Sequence, residues 1–286
     1  MGPRCLIVNG DDFGISDEVN AAIILAWRRG ILTSCSLMPG GAAFDGAVRL
    51  ARENPGLAVG IHITCVHGKA VLPPAEIPSL VDRGGNFPSD PATAGLKYFF
   101  CKRAAKDLGR EFAAQFEKFR STGLELSHID SHCHMHVNPA VLAPLLELGE
   151  KYGVRKMRVP DDDFFAAAPF IHGAFLKAGY ALVFKLLCAG MKSKLRRRGF
   201  SFPSRVYGNL ATGAMSSEYV LSVLEKIPAG LSEIYFHPDA PPDTSRSSGG
   251  TPLLRGELAI LLDPEVRARI DRLGITPATY RDLDRF

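Results

Sequence analysis

The chain of 286 residues has six cysteines, Cys5, Cys35, Cys65, Cys101, Cys133 and Cys188, and no C-x-x-C pair among them. Scattered thiols, several inside apolar runs, argue against a disulfide framework and for reduced, buried side chains in a cytoplasmic protein. Neither G-x-G-x-x-G nor a Walker loop occurs, so dinucleotide binding and P-loop phosphate chemistry have no carrier. A G-x-S-x-G elbow and a paired Cys/His nucleophile are also absent, which leaves no motif for a covalent acyl-enzyme. The N-terminal "MGPRCLIVNGDDFG" runs straight into a strand-like stretch and does not read as a signal peptide. No linker divides the sequence, and residues 1–286 are read as one domain.

What is present is a composition of a soluble globular kind, with 46% hydrophobic and 22% charged residues. At 31.0 kDa the chain is long for an ordinary domain but normal for a single α/β barrel. A net charge of +4 is only mildly basic and gives no argument for nucleic acid.

"RCLIVNG" reads as a buried strand and "SDEVNAAIILAWRRG" as a helix, with Ser16 as N-cap and Gly30 at its stop. "LTSCSLMPG", "LAVGIHIT", "LSHID", "KMRVP" and "LSEIYFHP" continue the strands. "AAFDGAVRLAREN", "AAKDLGREFAAQFEKFRSTG", "PAVLAPLLELGEKYG" and "SSEYVLSVLEKI" supply helices between them. "GKAVLPPAEIPSLVDRGGNFPSDP" is an irregular loop. This alternation predicts a parallel sheet covered by helices, a distorted, TIM-like (β/α) barrel that need not reach eight regular strands. An open doubly wound sheet is the competitor, without a nucleotide loop to serve it.

Titratable or cationic groups close the strands: "NGDD", "GIHI", "HIDSH", "MRVP" and "YFHPD". Barrel active sites lie at that face. In "SHIDSHCHMHVNP", His128, Asp130, His132, His134 and His136 occupy every second position. On an extended strand they would share a face and span roughly 13 Å, too far for one ion to reach all five. Only one or two can be ligands, so the others must come from elsewhere. His128 is expected to be buried and structural, and His136 to lie in a solvated or substrate-facing loop. Asp11 and Asp12 serve one site only if the strand ends there, which Phe13-Gly14 permits; the alternative is a polar cap on the next helix. His62 interrupts an apolar strand. It is either a hydrogen-bonded core residue or, level with Asp12 and His132, a ligand. Arg158 either holds Asp11 ionised or makes an ordinary barrel-end salt bridge. His237 is a candidate proton donor.

Together, "LIVNGDDFG", "LTSCSLM", "VGIHI", "SHIDSHCHMH" and "FHP" resemble the YdjC-like carbohydrate deacetylases along nearly the whole chain. "LPPAEIPSLVDRGGNFPSDPATAGLKYFF" and "ITPATYRDL" are similar to the hopanoid-biosynthesis-associated branch (HpnK). The resemblance implies a distorted (β/α) barrel and metal-dependent removal of acetyl from an N-acetylated amino sugar. Carried over, the metal ligands match Asp12, His62 and His132, the base Asp11 and the acid His237. The branch implies a lipid-linked substrate, a glucosaminyl hopanoid.

Amide hydrolysis at neutral pH needs activated water, a polarised carbonyl and a protonated leaving amine, which a divalent ion, Asp11 and His237 would supply. N/O ligation suits zinc and admits magnesium, manganese or cobalt. The alternatives are a chitooligosaccharide-type deacetylase, a metal-dependent phosphoesterase and a sugar-binding barrel without turnover. In 170–205, an apolar segment interrupted by Lys177 and Lys185 precedes Lys192, Lys194, Arg196, Arg197 and Arg198. A spanning helix is not expected. The segment is read either as a core helix or as peripheral contact with anionic membrane, at the inner surface of the cytoplasm.

Overall fold

The structure is a computed structural model that describes residues 2–171, 174–238 and 256–286, the side chains of 174–177 excepted. Asp239 of the "YFHPD" stretch and the side chain of Lys177 lie outside the described residues. In chain order the elements begin β1 (Arg4–Phe13), α1 (Asp17–Arg29), β2 (Ser34–Leu37), α2 (Phe44–Glu53) and β3 (Ala58–Ile63). Next come α3 (Pro91–Phe100), α4 (Lys102–Arg120), β4 (Leu126–Ser131), α5 (Pro139–Lys151), α6 (Phe164–Ala167) and α7 (Ala174–Arg197). The chain then forms β5 (Arg205–Tyr207), α8 (Ser217–Lys226), β6 (Gly230–Phe236), α9 (Gly256–Leu261), α10 (Pro264–Arg272) and β7 (Thr276–Ala278).

Seven strands form one parallel sheet in the order β4-β3-β2-β1-β6-β5, with β7 also on β1. β6 takes one edge of β1. The other edge is divided, with β7 pairing Cys5 to Ile7 and β2 pairing Asn9 to Phe13. The sheet is curled into a half-barrel with helices around it, as the alternation predicted, and it stops short of eight strands. Both faces of β1 to β3 are buried, which explains their near-continuous apolar runs. Ser16 caps α1 by accepting from Val19 N, and Gly30 ends it.

Three expectations change. "KMRVP" forms no regular strand, only bridges Ile129↔Met157 and Lys156↔Ser201. Pro160 offers no N–H, and Asp161 N turns back to Val159 O at 2.7 Å, so the ladder stops. Residues 92–100, unassigned from sequence, form α3 together with Pro91, read as the end of the loop; Asp90 is the N-cap and Pro91 takes the first position. The extended histidine row also breaks. β4 ends at Ser131, and 132–137 close into a 3₁₀ turn with Cys133 and His134 at φ 52° and 51°.

α7 leaves the strand-five segment at the C-terminal end of the sheet and returns to β5 at the N-terminal end. Its 24 residues, roughly 36 Å of helix, run down the outside, so that Lys192 is still level with the segment after "KMRVP" and only the last turn reaches the far end of α5. Arg198 there pairs with Glu150 at the end of α5, and Lys192 pairs with Asp161. Among the described residues, no helix is long and apolar enough to cross a membrane.

Candidate metal and catalytic site

Parallel pairing brings the ends of β1, β3 and β4 side by side, with His62 in register with Asp130. At the end of β1, Asp12 takes φ 64° and Gly14 φ 95°. This turn, which a non-glycine residue adopts at a cost, lets adjacent carboxylates face one site despite the strand's alternation. Asp12 Oδ1 lies 2.9 Å from His132 Nδ1 and 3.3 Å from His62 Nε2. Ligand atoms of Asp12, His62 and His132 all fall within 4.8 Å of one another.

Two imidazoles and a carboxylate suit a divalent ion, and donors about 2.0–2.2 Å from a tetrahedral centre stand about 3.3 Å apart. The His62 ring is aimed from behind, where Nδ1 donates to Asp130 Oδ1 at 2.8 Å and leaves Nε2 for the site. A carboxylate in that position fixes tautomer and orientation. The side chains of Asp12 and His132 keep 14% and 16% exposure, so the cluster can be reached from outside.

A second triple, Asp11, His62 and Asp130, meets the same distance criterion and is fully buried. Its carboxylates already hold a cation. Arg158 donates to Asp11 Oδ2 and Oδ1 at 2.7 and 2.8 Å and stands 2.9 Å from Asp130 Oδ2. A metal beside that guanidinium would be repelled, so the donor set that fits an ion is Asp12, His62 and His132.

Burial would raise the Asp12 carboxyl, but hydrogen bonds from His132 and His62 hold it far below the usual carboxylate range. Burial disfavours charge on His132, yet its bond to Asp12 lifts it to about 9. His62 is likewise held well above its ordinary value, against burial, chiefly by the charge of Asp130. Ligation needs neutral imidazoles, so cation uptake here displaces protons.

Beneath the cluster lies a buried polar network. Arg158, fully buried, also donates to Glu233 Oε1 at 2.7 Å and lies over the Tyr235 ring at 4.7 Å. Tyr280, from the C-terminal "TYRDL", donates to Glu233 Oε2 and stacks on His128 at 3.8 Å. Asn9 donates to Asp11 and Ser36, and Ser36 donates to Asp130 at 2.7 Å. The guanidinium thus holds Asp11 from behind, which goes well beyond an ordinary barrel-end salt bridge.

His128 is buried, as expected. His136 is not in a solvated loop: it is fully buried between Ser131 Oγ and Arg158 O, and burial lowers it to about 4. His134 is also buried, 2.8 Å from the Tyr235 hydroxyl, and burial together with Arg158 keeps it well below its ordinary value. The turn after Ser131 sends both rings inward, where strand alternation would have left one face open.

His237 follows Phe236, the register partner of Gly10, so it stands at the same end of the sheet beside Asp11. Its N–H donates to Glu257 at 2.6 Å and its ring meets Tyr235 edge-on at 5.6 Å. Sequence reasoning missed Ser36, Glu233 and Tyr280, and it missed His67, whose ring lies 5.9 Å from His132. Asp130 was visible in the row, but its aim at His62 depends on the β3–β4 register.

A family profile described as "YdjC-like protein" matches residues 5–272. The chain is 33% identical to a carbohydrate deacetylase of Geobacillus stearothermophilus over 284 residues, 98% of each protein. A carbohydrate deacetylase of Brevibacillus brevis is 42% identical over 149 residues, 52% of this chain and 57% of that protein. Among solved structures, the chain is similar to an Enterococcus faecalis protein provisionally assigned to cellobiose-phosphate cleavage. The TM-score is 0.72 at 28% identity, covering 98% of this chain and 99% of that one.

Proposed function

Because the chain belongs to the YdjC-like family, we propose that it is a metal-dependent carbohydrate N-deacetylase that frees acetate from an N-acetylated amino sugar. The observation that carries the reading is the meeting of Asp12, His62 and His132 donors within 4.8 Å at the strand ends. When bound, a divalent ion supplies Lewis-acid chemistry, polarising an acyl carbonyl and acidifying water. Asp12, His62 and His132 would hold it, zinc first among the candidates and magnesium, manganese or cobalt after it. Asp11 takes the proton of the attacking water. The two-pronged grip of Arg158 fixes its carboxylate, while Asp130 fixes His62. His237, just past the end of β6 and beside Asp11, returns a proton to the leaving nitrogen.

We assign the substrate to the lipid-linked class, a glucosaminyl hopanoid at the inner membrane surface of the cytoplasm, on the resemblance of 72–100 and 275–283. Of 170–205, the first stretch of α7 supports membrane contact, with Leu182, Val183 and Leu186 exposed. Its basic end, where Lys192 and Arg198 are already paired with Asp161 and Glu150, supports it less.

The test is acetate release from N-acetylglucosamine conjugates by chelator-stripped protein reloaded with each metal. Phosphate release from a generic ester runs in parallel, since the Enterococcus faecalis relative is described with a sugar phosphate. Acetate release only with metal supports the reading. Phosphate release alone transfers it to a phosphoesterase, and neither product with any metal leaves a sugar-binding barrel.

A further inference from the structure

Among the described residues, the exposed large apolar side chains other than Phe286 lie on α3, α6 and the first stretch of α7, or at Ile15 behind β1. All of these elements rise from the C-terminal end of the sheet. The arrangement on α3 is the most informative. Its inner face holds the segments that follow two of the candidate ligands, His62 and His132. Tyr98 is buried and its hydroxyl donates to Cys65 O at 2.6 Å, three residues beyond His62. Asn138, which closes the turn begun by His132, donates to Gly95 O at 2.9 Å.

The outer face has no such partner. Leu96, Phe99 and Phe100, spaced i, i+3, i+4, are 62%, 54% and 76% exposed. Lys97, Lys102, Arg103 and Lys106 surround them, all exposed and none ion-paired with a described residue. No acid occurs from Pro91 to Lys106. Asp90, just before, is engaged by the N–H groups of Ala92 and Thr93.

We infer that the α3–α4 elbow is a docking surface for an anionic bilayer: Leu96, Phe99 and Phe100 enter the headgroup zone, and the four cations meet lipid phosphates. An exposed aromatic stripe flanked by unpaired cations is the composition that such a surface selects. A second copy of the chain is a poorer fit, because twofold pairing would set the four cations against their own equivalents. Where the substrate is lipid-linked, as proposed above, docking here turns the mouth of the site toward the membrane. The basic end of α7 would turn it away.

The test needs no substrate. Vesicles of phosphatidylcholine, alone or mixed with phosphatidylglycerol, are floated with the full chain at low and high salt. The protein should float with the anionic vesicles at low salt and be released by high salt. Lys102→Gln/Arg103→Gln should weaken partitioning about thirtyfold, the equivalent of ~1 kcal/mol for each of two basic residues. Phe99→Ser/Phe100→Ser should also weaken it strongly, while Arg196→Gln/Arg197→Gln should leave it unchanged. Acetate release from a short soluble substrate should persist in all three variants, so lost docking and lost catalysis are read separately. No flotation at low salt, or flotation lost only with Arg196→Gln/Arg197→Gln, overturns the inference. So does light scattering that shows a dimer dissociated by Phe99→Ser/Phe100→Ser, which would give the face to a second copy.

Discussion

Replacing Arg158 with methionine removes a cation that three buried carboxylates share. In its absence Asp130 keeps His62 and Ser36, whereas Asp11 keeps only the Asn9 side chain. Removing one partner of a buried pair costs about 3–5 kcal/mol, because the other charge stays buried and uncompensated. That is a large part of a typical stability of about 5–15 kcal/mol. With a urea m-value of about 3 kcal/mol per M, the unfolding midpoint should fall by about 1 to 1.7 M. The sign with pH also follows. Burial would raise Asp130, but Arg158 and then His62 hold it well below the carboxylate range. In the native protein it therefore contributes stability above its unfolded pKa, lost only as pH falls through its lower folded value. Without Arg158 burial lifts its folded pKa above the unfolded one, so the variant regains stability as this carboxylate takes up a proton. The gap between the two proteins should accordingly narrow as pH drops from about 7 to about 4. Urea melts followed by far-UV circular dichroism measure both effects. A gap below about 1 kcal/mol, or one constant across that range, would show that the network does not carry buried charge.

Single replacement of Asp12, His62 or His132 by alanine should abolish stoichiometric metal, measured by plasma mass spectrometry, because three donors leave no redundancy. His134→Ala should keep the metal. Asp11→Asn should also keep it and lose turnover by about 10²-fold or more, as for a removed general base, and the opposite pattern in Asp11 and Asp12 variants would reverse their roles. Burial raises Asp162 to about 6 although backbone N–H groups of Leu210 and Gly208 donate to it. Its contribution to stability is complete below the unfolded pKa and lost as pH rises through about 6, so stability should decline between about pH 4 and 6 and Asp162→Asn should flatten that decline. Gly60→Ala should lower the melting temperature, at a cost of about 1–3 kcal/mol. A Cβ there would stand 2.3 to 2.5 Å from three atoms of the buried His128 ring.

Local chemistry determined much of this molecule. Apolar runs ending in "NGDD", "GIHI" and "HIDSH" marked strand ends, and Ser16, Gly30 and Pro139 marked helix limits, because burial and backbone capping act over a few residues. They were enough to expect a partial barrel with Asp11, Asp12, His62, His132 and His237 at one end. The tertiary structure alone decided what each group faces. The histidine row looked like one extended face, but left-handed backbone at Cys133 and His134 folded it inward and buried His136. The "KMRVP" segment looked like a full strand, yet Pro160 left it a bridge. Asp130 became the orienter of His62 through a register set between β3 and β4, and Arg158 joined Asp11 across 147 residues of chain. Glu233 and Tyr280 entered the same network from β6 and the C-terminal turn. Such partners are chosen by long-range pairing and by the need to satisfy every buried charge, a requirement that no short window of sequence contains.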